Sequence, residues 1–322
     1  MVKADGYGLG AVAVSRALAE IDPWGFGVAT VDEARELHVN GITTPLVIFT
    51  PLMPTMIEYV MAIAARPVIG DLEALRAWLG RGNGPFHLEI DTGMARSGIR
   101  WDDAAMLAQL RDLLADAAGW EGVFTHFHSA ETDPMATATQ WRRLQESIAT
   151  IGRRPSLVHA ANSAAGAAGG SYGGDLARPG IHLFGGQVAG LDPIRVAALR
   201  ARVVAIRRLN AGETVSYNAT WCAPSATTIA TLAIGYADGV SRQLSNGGAV
   251  ELLGHRLRIV GRVTMDHTMV DVGELPVSVG DVATLFGGIV TLNEAATLAG
   301  TISYDLLTAL GSRLPRRYLP RE

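Results

Sequence analysis

A (β/α)8 barrel of the TIM type, followed by a mostly antiparallel β domain, is the architecture that this 322-residue sequence predicts. Two observations predict it. Over roughly the first 185 residues, short β-rich runs alternate with Ala- and Leu-rich helical stretches, the pattern of parallel β/α units. Beyond about residue 196, short alternating runs are separated by Asn-Gly, Gly-Gly and Gly-Asp turns, the pattern of antiparallel strands. The implied domains are residues 1–196 and 197–322.

The strand candidates, in order, are 2–4 (VKA), 24–30 (WGFGVAT), 45–50 (PLVIFT), 66–71 (RPVIGD), 85–91 (PFHLEID), 122–127 (GVFTHF), 156–163 (SLVHAANS) and 178–184 (RPGIHLF). Between them lie helical stretches at 11–20, 31–37, 71–79 and 104–118, the last with apolar residues at helical spacing. A further helix is expected over 137–151, behind Asp133-Pro134. Eight strands close a barrel whose chemistry sits at the strands' C-terminal ends; an open doubly wound sheet is the competing arrangement. In the second half, AVELLGHRLRIVGRV, HTMVDVG and VGDVATLFGG read as antiparallel strands, and 293–310 as helical pieces among them.

Composition narrows the function. The chain is 48% hydrophobic and 18% charged, ample for a large core, and its 27 basic and 31 acidic residues leave a net charge of −4. That balance gives no reason to expect a nucleic-acid or membrane partner. No run of about 18 uncharged apolar residues marks a membrane span, and no signal-peptide pattern is present. The single cysteine, Cys222, excludes an intrachain disulfide and fits a reducing compartment, so a cytoplasmic protein is expected.

If the barrel forms, its strand ends collect one set of reactive side chains. Lys3 follows the first strand and DTGMAR (91–96) the fifth; His126 closes the sixth, Asn162 and Ser163 the seventh, and Arg178 marks the eighth. Each alone reads as well as a surface charge, a core histidine or an ion-pair partner; the shared rim is what raises them together. A lysine near a histidine, an arginine and hydroxyls, with no metal-ligand cluster, points to Schiff-base catalysis. No HExxH, CxxC, GxSxG or P-loop occurs, and the glycines of VKADGYGLG have the wrong spacing for a dinucleotide loop.

VKADGYGLG resembles the pyridoxal-phosphate attachment motif of the alanine racemases, and the resemblance continues in order along the chain. It runs through DTGMARSG (91–98), THFHSA (125–130), HAANSAA (159–165), ARPGIHLFG (177–185), VSYNATW (215–221), IGYADG (234–239), GRVTMD (261–266) and SYDLLTALGSRLPRRY (303–318). The family's barrel-plus-β-domain architecture agrees with the pattern above. The resemblance implies that Lys3 holds pyridoxal 5'-phosphate as an internal aldimine, and that Tyr7, Ser163 and the backbone of Gly180 and Ile181 bind its phosphate. It further implies that His126 packs on the ring and Arg178 hydrogen-bonds the ring nitrogen. Arginine keeps its proton in proteins, so a partner of this kind can only donate, and the nitrogen stays neutral. That favours reprotonation at the same carbon, and hence racemisation over transamination.

Racemisation needs a proton carrier on each face of the substrate. The resemblance implies Lys3 on the D face and Tyr217 on the L face, the tyrosine lent by the other subunit of a homodimer. A phenol titrates near 10 and a lysine near 10.4, so each needs help to act as a base at neutral pH; His126 and Arg178 are the expected sources for Tyr217. The substrate carboxylate is expected at Arg96, whose fork matches two oxygens, with Met265 and Asp266 opposite and Tyr236 at the entrance.

Three departures from the family pattern carry expectations of their own. Glu89 stands where many members have a carbamylated lysine, and is expected to orient Arg96; a solvent-facing strand glutamate is the plainer reading. Leu9, Thr264 and Ser312 replace frequent family residues and bear on substrate range and cofactor affinity. Only Met1 and Val2 precede Lys3, where members carry a few tens of residues, which implies a mis-called start or a trimmed chain and unpaired sheet edges. The expected function is alanine racemase, supplying D-alanine for peptidoglycan. A broader amino-acid racemase is the near alternative, and a non-catalytic pyridoxal-phosphate carrier or a decarboxylase the distant ones. Residues 197–322 with Tyr217 speak against the carrier, and Arg178 against the decarboxylase.

Overall fold

Runs such as PLVIFT and PFHLEID are too short for helices and rich in strand formers, and they pair side by side. In the computed structural model they form β1 (Phe26–Val28), β2 (Leu46–Pro51), β3 (Arg66–Ile69), β4 (Phe86–Asp91), β5 (Ile99–Arg100), β6 (Trp120–Phe124) and β7 (Leu157–His159). The structure describes residues 1–319 apart from positions 83, 170, 171, 173 and 189. The strands are parallel, in the order β1-β2-β3-β4-β6-β7, with β5 paired to the end of β4. The chain divides into two units: Met1–Gly6, Gly10–His182 and Val188–Leu191 make the first; Tyr7–Leu9, Leu183–Gln187 and the chain from Asp192 onward make the second.

In the first unit, helices Val31–Val39, Leu72–Leu79, Ala104–Leu114 and Pro134–Ile151 each start on a side-chain cap, from Thr30, Asp71, Asp103 and Asp133 respectively. Side chains alternate across the strands. Ile48, Ile69, Leu88, Ile90, Val123 and Val158 face the helices, where Leu37, Leu75, Leu110 and Leu144 complete the main core. Val47, Val68 and Phe124 form a separate cluster with Trp24 and Phe49 on the opposite face. His87, Glu89 and His159 share the strand parity of that second face, and all are buried. The sheet is therefore covered on both sides, as parallel sheets are.

The structure corrects the first and eighth expected strands. Residues 2–4 form no strand, because the chain turns left-handed immediately after Lys3. Residues 178–184 form none either: Pro179 has no N–H for a ladder, and Ile181–Phe184 is a 3-10 turn. Single contacts stand where those strands were expected. Leu176 bridges His159 in parallel, Arg178 N–H donates to Ala161 C=O (2.8 Å), the Met1 nitrogen to Pro179 C=O (2.9 Å), and Val2 N–H to Gly27 C=O (2.8 Å). The expected bare edges beside β1 and β7 are thus partly met by backbone bonds.

In the second unit, β8 (Leu199–Leu209), β9 (Thr214–Val215), β10 (Trp221–Cys222), β11 (Thr227–Leu232), β12 (Ala249–Leu252), β13 (His255–Ile259), β14 (Thr268–Asp271) and β15 (Val282–Phe286) are antiparallel. Six of them close a barrel, β11-β14-β13-β12-β15-β8, and β9 and β10 pair separately. The helical pieces expected over 293–310 are Leu292–Leu298 and Ser303–Thr308.

Candidate active site

The lysine lies in a strained turn. Ala4, Asp5 and Gly6 have φ of 53°, 53° and 61°, and Tyr7 has 56°. Left-handed backbone costs an L-residue roughly 1–2 kcal/mol, and such strain gathers at functional positions. The turn is held by Gly6 N–H donating to Val2 C=O (2.8 Å), Ala4 N–H to Glu33 Oε1 (2.7 Å) and Ala11 N–H to Asp5 Oδ1 (2.8 Å). In the second unit, Gly8 is required as glycine, since a Cβ there would strike the Leu307 carbonyl.

Around Lys3 the first unit gathers charge. Partial burial lowers the pKa of the Lys3 ammonium, the Arg96 guanidinium lowers it further, and Glu33 opposes both. Burial pushes His126 down to about 3, with Arg178, Arg96 and Lys3 adding to the effect. His126 is therefore neutral at pH 7. Arg178 falls only to about 10, through burial opposed by Glu89, and stays cationic. Arg96 is exposed and makes no hydrogen bond or ion pair with the described residues, leaving its fork free for a carboxylate.

Glu89 faces inward, 4% exposed, which excludes the solvent-facing reading. It does not pair with Arg96. It hydrogen-bonds Ser97 instead, and its Oε2 has no partner. Burial raises its pKa, while Ser97, Arg96 and Arg178 work against that rise.

Arg178 is fixed from behind. Its Nη2 donates to Thr125 C=O (2.9 Å) and Ala160 C=O (3.0 Å), and its Nη1 to His159 Nδ1 (2.7 Å). That donor fixes the tautomers beyond it. His159 Nδ1 accepts, so its Nε2–H donates to His87 Nδ1 (2.8 Å), and His87 Nε2–H donates to Glu121 (3.3 Å). Arg66 Nε donates to the same carboxylate oxygen (3.0 Å). Burial lowers both histidines, keeping them neutral. For Glu121 burial acts upward, but hydrogen bonds from His87 and Arg66 outweigh it and its pKa is lowered. Gly122 makes room for the chain: a Cβ there would lie 2.5 Å from His87 Nδ1.

The expected phosphate ligands divide between the units. In the first, Gly180 N–H donates to Ser163 Oγ (2.7 Å), leaving the hydroxyl hydrogen free to turn toward an anion, and Ile181 is buried beside it. In the second, Tyr7 is 6% exposed and stacks on Phe184 at 4.4 Å; burial, then Tyr304, raises its hydroxyl to about 12.

Tyr217 belongs to the second unit and also sits in a strained turn, with Ser216, Asn218 and Ala219 at φ of 67°, 62° and 46°. Ser216 Oγ donates to Arg262 C=O (2.8 Å). A cavity of about 400 Å³ is lined by Ser216, Tyr217, Thr231, Thr264, His267 and Met269. Tyr217, Met265 and Tyr236 are 71%, 53% and 44% exposed. The Met265 carbonyl accepts from Ala237 N–H (3.0 Å), and Asp266 is paired to Arg313 (2.8 Å).

Sequence reasoning passed over His87, His159, Glu121 and Arg66, since isolated strand residues do not reveal which of them meet. It also passed over a signal the chain does carry: among its 27 basic residues Lys3 is the sole lysine.

A family model described as the alanine racemase N-terminal domain matches residues 1–188, and one described as the C-terminal domain matches 196–318. The alanine racemases of Acidiphilium cryptum and Deinococcus radiodurans are each 39% identical over 98% of this chain and 90% of theirs. Among solved structures, an alanine racemase from E. faecalis superposes with a TM-score of 0.91 at 33% identity, covering 99% of this chain and 90% of the other. One from Bartonella henselae with covalently bound pyridoxal phosphate gives 0.90 at 30% identity, covering 99% and 91%.

Proposed function

The chain belongs to the alanine racemase family, and on that premise we propose that it interconverts L-alanine and D-alanine, with pyridoxal 5'-phosphate carried on Lys3 and with Lys3 and Tyr217 as the two proton carriers. The observation that carries the site assignment is the Lys3 neighbourhood: a sole lysine, in a strained turn, with its amine lowered by burial and by Arg96.

The residues present fit the cofactor. Arg178 is held by three bonds to protein, which leaves Nε–H and one Nη1–H without partners among the described residues. Ser163 has a free hydroxyl hydrogen, and Lys3 is accessible. Lys3, Tyr7, His126, Ser163, Arg178 and Ile181 would hold the group, with Gly180, whose N–H donates to Ser163 Oγ, orienting that hydroxyl. When bound, it supplies an electrophilic carbon for the substrate amine and a conjugated system that makes the α C–H acidic. Arg178 donates and cannot give up its proton at neutral pH. Neutral His126 offers a flat apolar face. Arg96 receives the substrate carboxylate beside Met265, with Tyr236 at the entrance, Glu89 keeping an opposing charge near the guanidinium and Asp266 held by Arg313. Lys3 Nζ moves the proton at the α-carbon on one face and Tyr217 Oη on the other.

A homodimer with shared sites is part of the proposal, residues 197–322 of one copy bringing Tyr217 to the other. The exposure of Tyr217, Met265 and Tyr236 supports it, as large exposed apolar groups mark surfaces that a partner covers. So does the exposed free thiol of Cys222 support a reducing, cytoplasmic location. No helix among the described residues is long and apolar enough to cross a membrane.

Mixing two inactive variants tests the arrangement. Lys3→Ala and Tyr217→Phe, unfolded together and refolded, should regain racemisation of L-alanine, because a mixed dimer with shared sites has one site with both native residues. Recovery absent from a mixture that refolds as dimers would refute the shared site. Borohydride reduction of the cofactor-loaded native protein should place the added mass on Lys3, and label elsewhere would overturn the assignment.

A further inference from the structure

We propose that Glu33 is the positioning residue of Lys3, a carboxylate clamp tying the lysine-bearing turn to the end of β1. The inference rests on the reading of Lys3 as the cofactor-bearing lysine. Glu33 Oε1 accepts from Ala4 N–H at 2.7 Å, across 29 positions of chain, and Oε2 accepts from Ala29 N–H at 2.6 Å. Ala29 follows β1 directly.

The plainer account is helix capping. Thr30 and Glu33 form a capping box at the start of Val31–Val39, in which Thr30 Oγ1 accepts from Glu33 N–H (3.2 Å). That box accounts for only one carboxylate oxygen, and its bond from Thr30 N–H is the long one, at 3.4 Å. The shorter bonds lead out of the helix, one of them to the residue after the lysine.

Why this sets the lysine follows from peptide planarity. A planar peptide leaves only φ and ψ of Lys3 to set its backbone, and so the direction in which its Cα–Cβ bond leaves the turn. The peptide before Lys3 is tethered through Val2 C=O, which accepts from Gly6 N–H (2.8 Å), and the peptide after it through Ala4 N–H on Glu33. Both torsions are thereby pinned in a turn that Ala4 and Asp5 would otherwise leave. The ammonium also faces two charges, Arg96 and Glu33, and is itself felt by His126. Glu33 is the anionic one of these neighbours.

The test compares Glu33→Ala, Glu33→Gln and Thr30→Ala in the full chain. Amide hydrogen exchange read at Ala4 should quicken by up to about tenfold in Glu33→Ala, what loss of one hydrogen bond allows, while Thr30→Ala leaves it unchanged. In Glu33→Gln, which keeps the shape but loses the charge and one of the two acceptors, the pH at which Lys3 reacts half-maximally with an amine reagent should fall. With a sole lysine, peptide mass spectrometry reads that residue directly. Equal quickening at Ala4 in Thr30→Ala and Glu33→Ala would show capping alone and overturn the proposal. So would an Ala4 amide and a Lys3 profile untouched in both Glu33 variants. Native protein that takes up no pyridoxal phosphate on Lys3 would defeat the functional reading instead, while the exchange result at Ala4 still decides the clamp.

Discussion

The turns that carry Lys3 and Tyr217 are built alike and finished differently. Each places non-glycine residues in left-handed backbone beside the residue of interest, Ala4, Asp5 and Tyr7 in one and Ser216, Asn218 and Ala219 in the other. Lys3, however, has Arg96 and Glu33 as charged neighbours, and its pKa, like those of His126 and Arg178, is lowered, first by burial and then by nearby cations. Tyr217 stands 71% exposed. The comparison teaches that Lys3 is tuned by its surroundings whereas Tyr217 is left at the surface of its unit, so the proposed pairing of the two as proton carriers asks more of a partner at the tyrosine than at the lysine.

The largest expected effect separates the two. Lys3→Ala should abolish both cofactor attachment and racemisation, the latter by more than about 10^4-fold. Tyr217→Phe should lower racemisation by about 10^2- to 10^4-fold and leave attachment intact. In deuterated water that variant should still exchange the α-hydrogen of D-alanine, through Lys3, while L-alanine stays unlabelled. Exchange lost equally from both enantiomers would remove the distinction between the faces.

That division bears on what could be read before the structure. Strands two to seven were legible because each is a β-branched or aromatic run between helical stretches. The first and eighth were not: at Lys3 a left-handed turn overrides the pattern, and at Pro179 a missing N–H does. The second unit's texture showed antiparallel strands but not their closure, which depends on β8 pairing with both β11 and β15. Lys3, Arg178 and Tyr217 stand out in the sequence only through the motifs that carry them. The chain Arg178–His159–His87–Glu121–Arg66 was not, because its members come from β3, β4, β6, β7 and the segment after β7, far apart in sequence. Nor could Glu33 be distinguished from an ordinary cap, since its second oxygen leaves the helix.

The next effect sharpens the contrast from the tuned side. Gly122→Ala would drive a methyl into the His87 ring, at a cost of about 1–3 kcal/mol for overpacking. If the buried chain holds Arg178 in place, the variant should also weaken retention of pyridoxal phosphate on dialysis, beyond what an equally destabilising change in the second unit produces. Lowered thermal stability with retention unchanged would make the chain a matter of packing alone.

The smallest effect concerns Glu89, where the tuned side carries a cost. Its carboxylate is buried with one oxygen unpartnered, and burial raises its pKa against the pull of Ser97, Arg96 and Arg178. A carboxyl whose folded pKa lies above its unfolded value contributes stability at low pH that is lost as pH rises through the folded pKa. At pH 7 Glu89 therefore weighs against the fold relative to low pH. Glu89→Gln should raise the thermal midpoint at pH 7, and that gain should shrink as pH falls toward the usual carboxylate range. The same variant removes the charge opposite Arg96 without removing a hydrogen bond from it, so KM for alanine should rise by less than about tenfold with kcat nearly unchanged. A stabilised variant with unaltered KM would show that the buried charge serves something other than substrate binding; a destabilised one would show that Ser97 and the two arginines outweigh the burial.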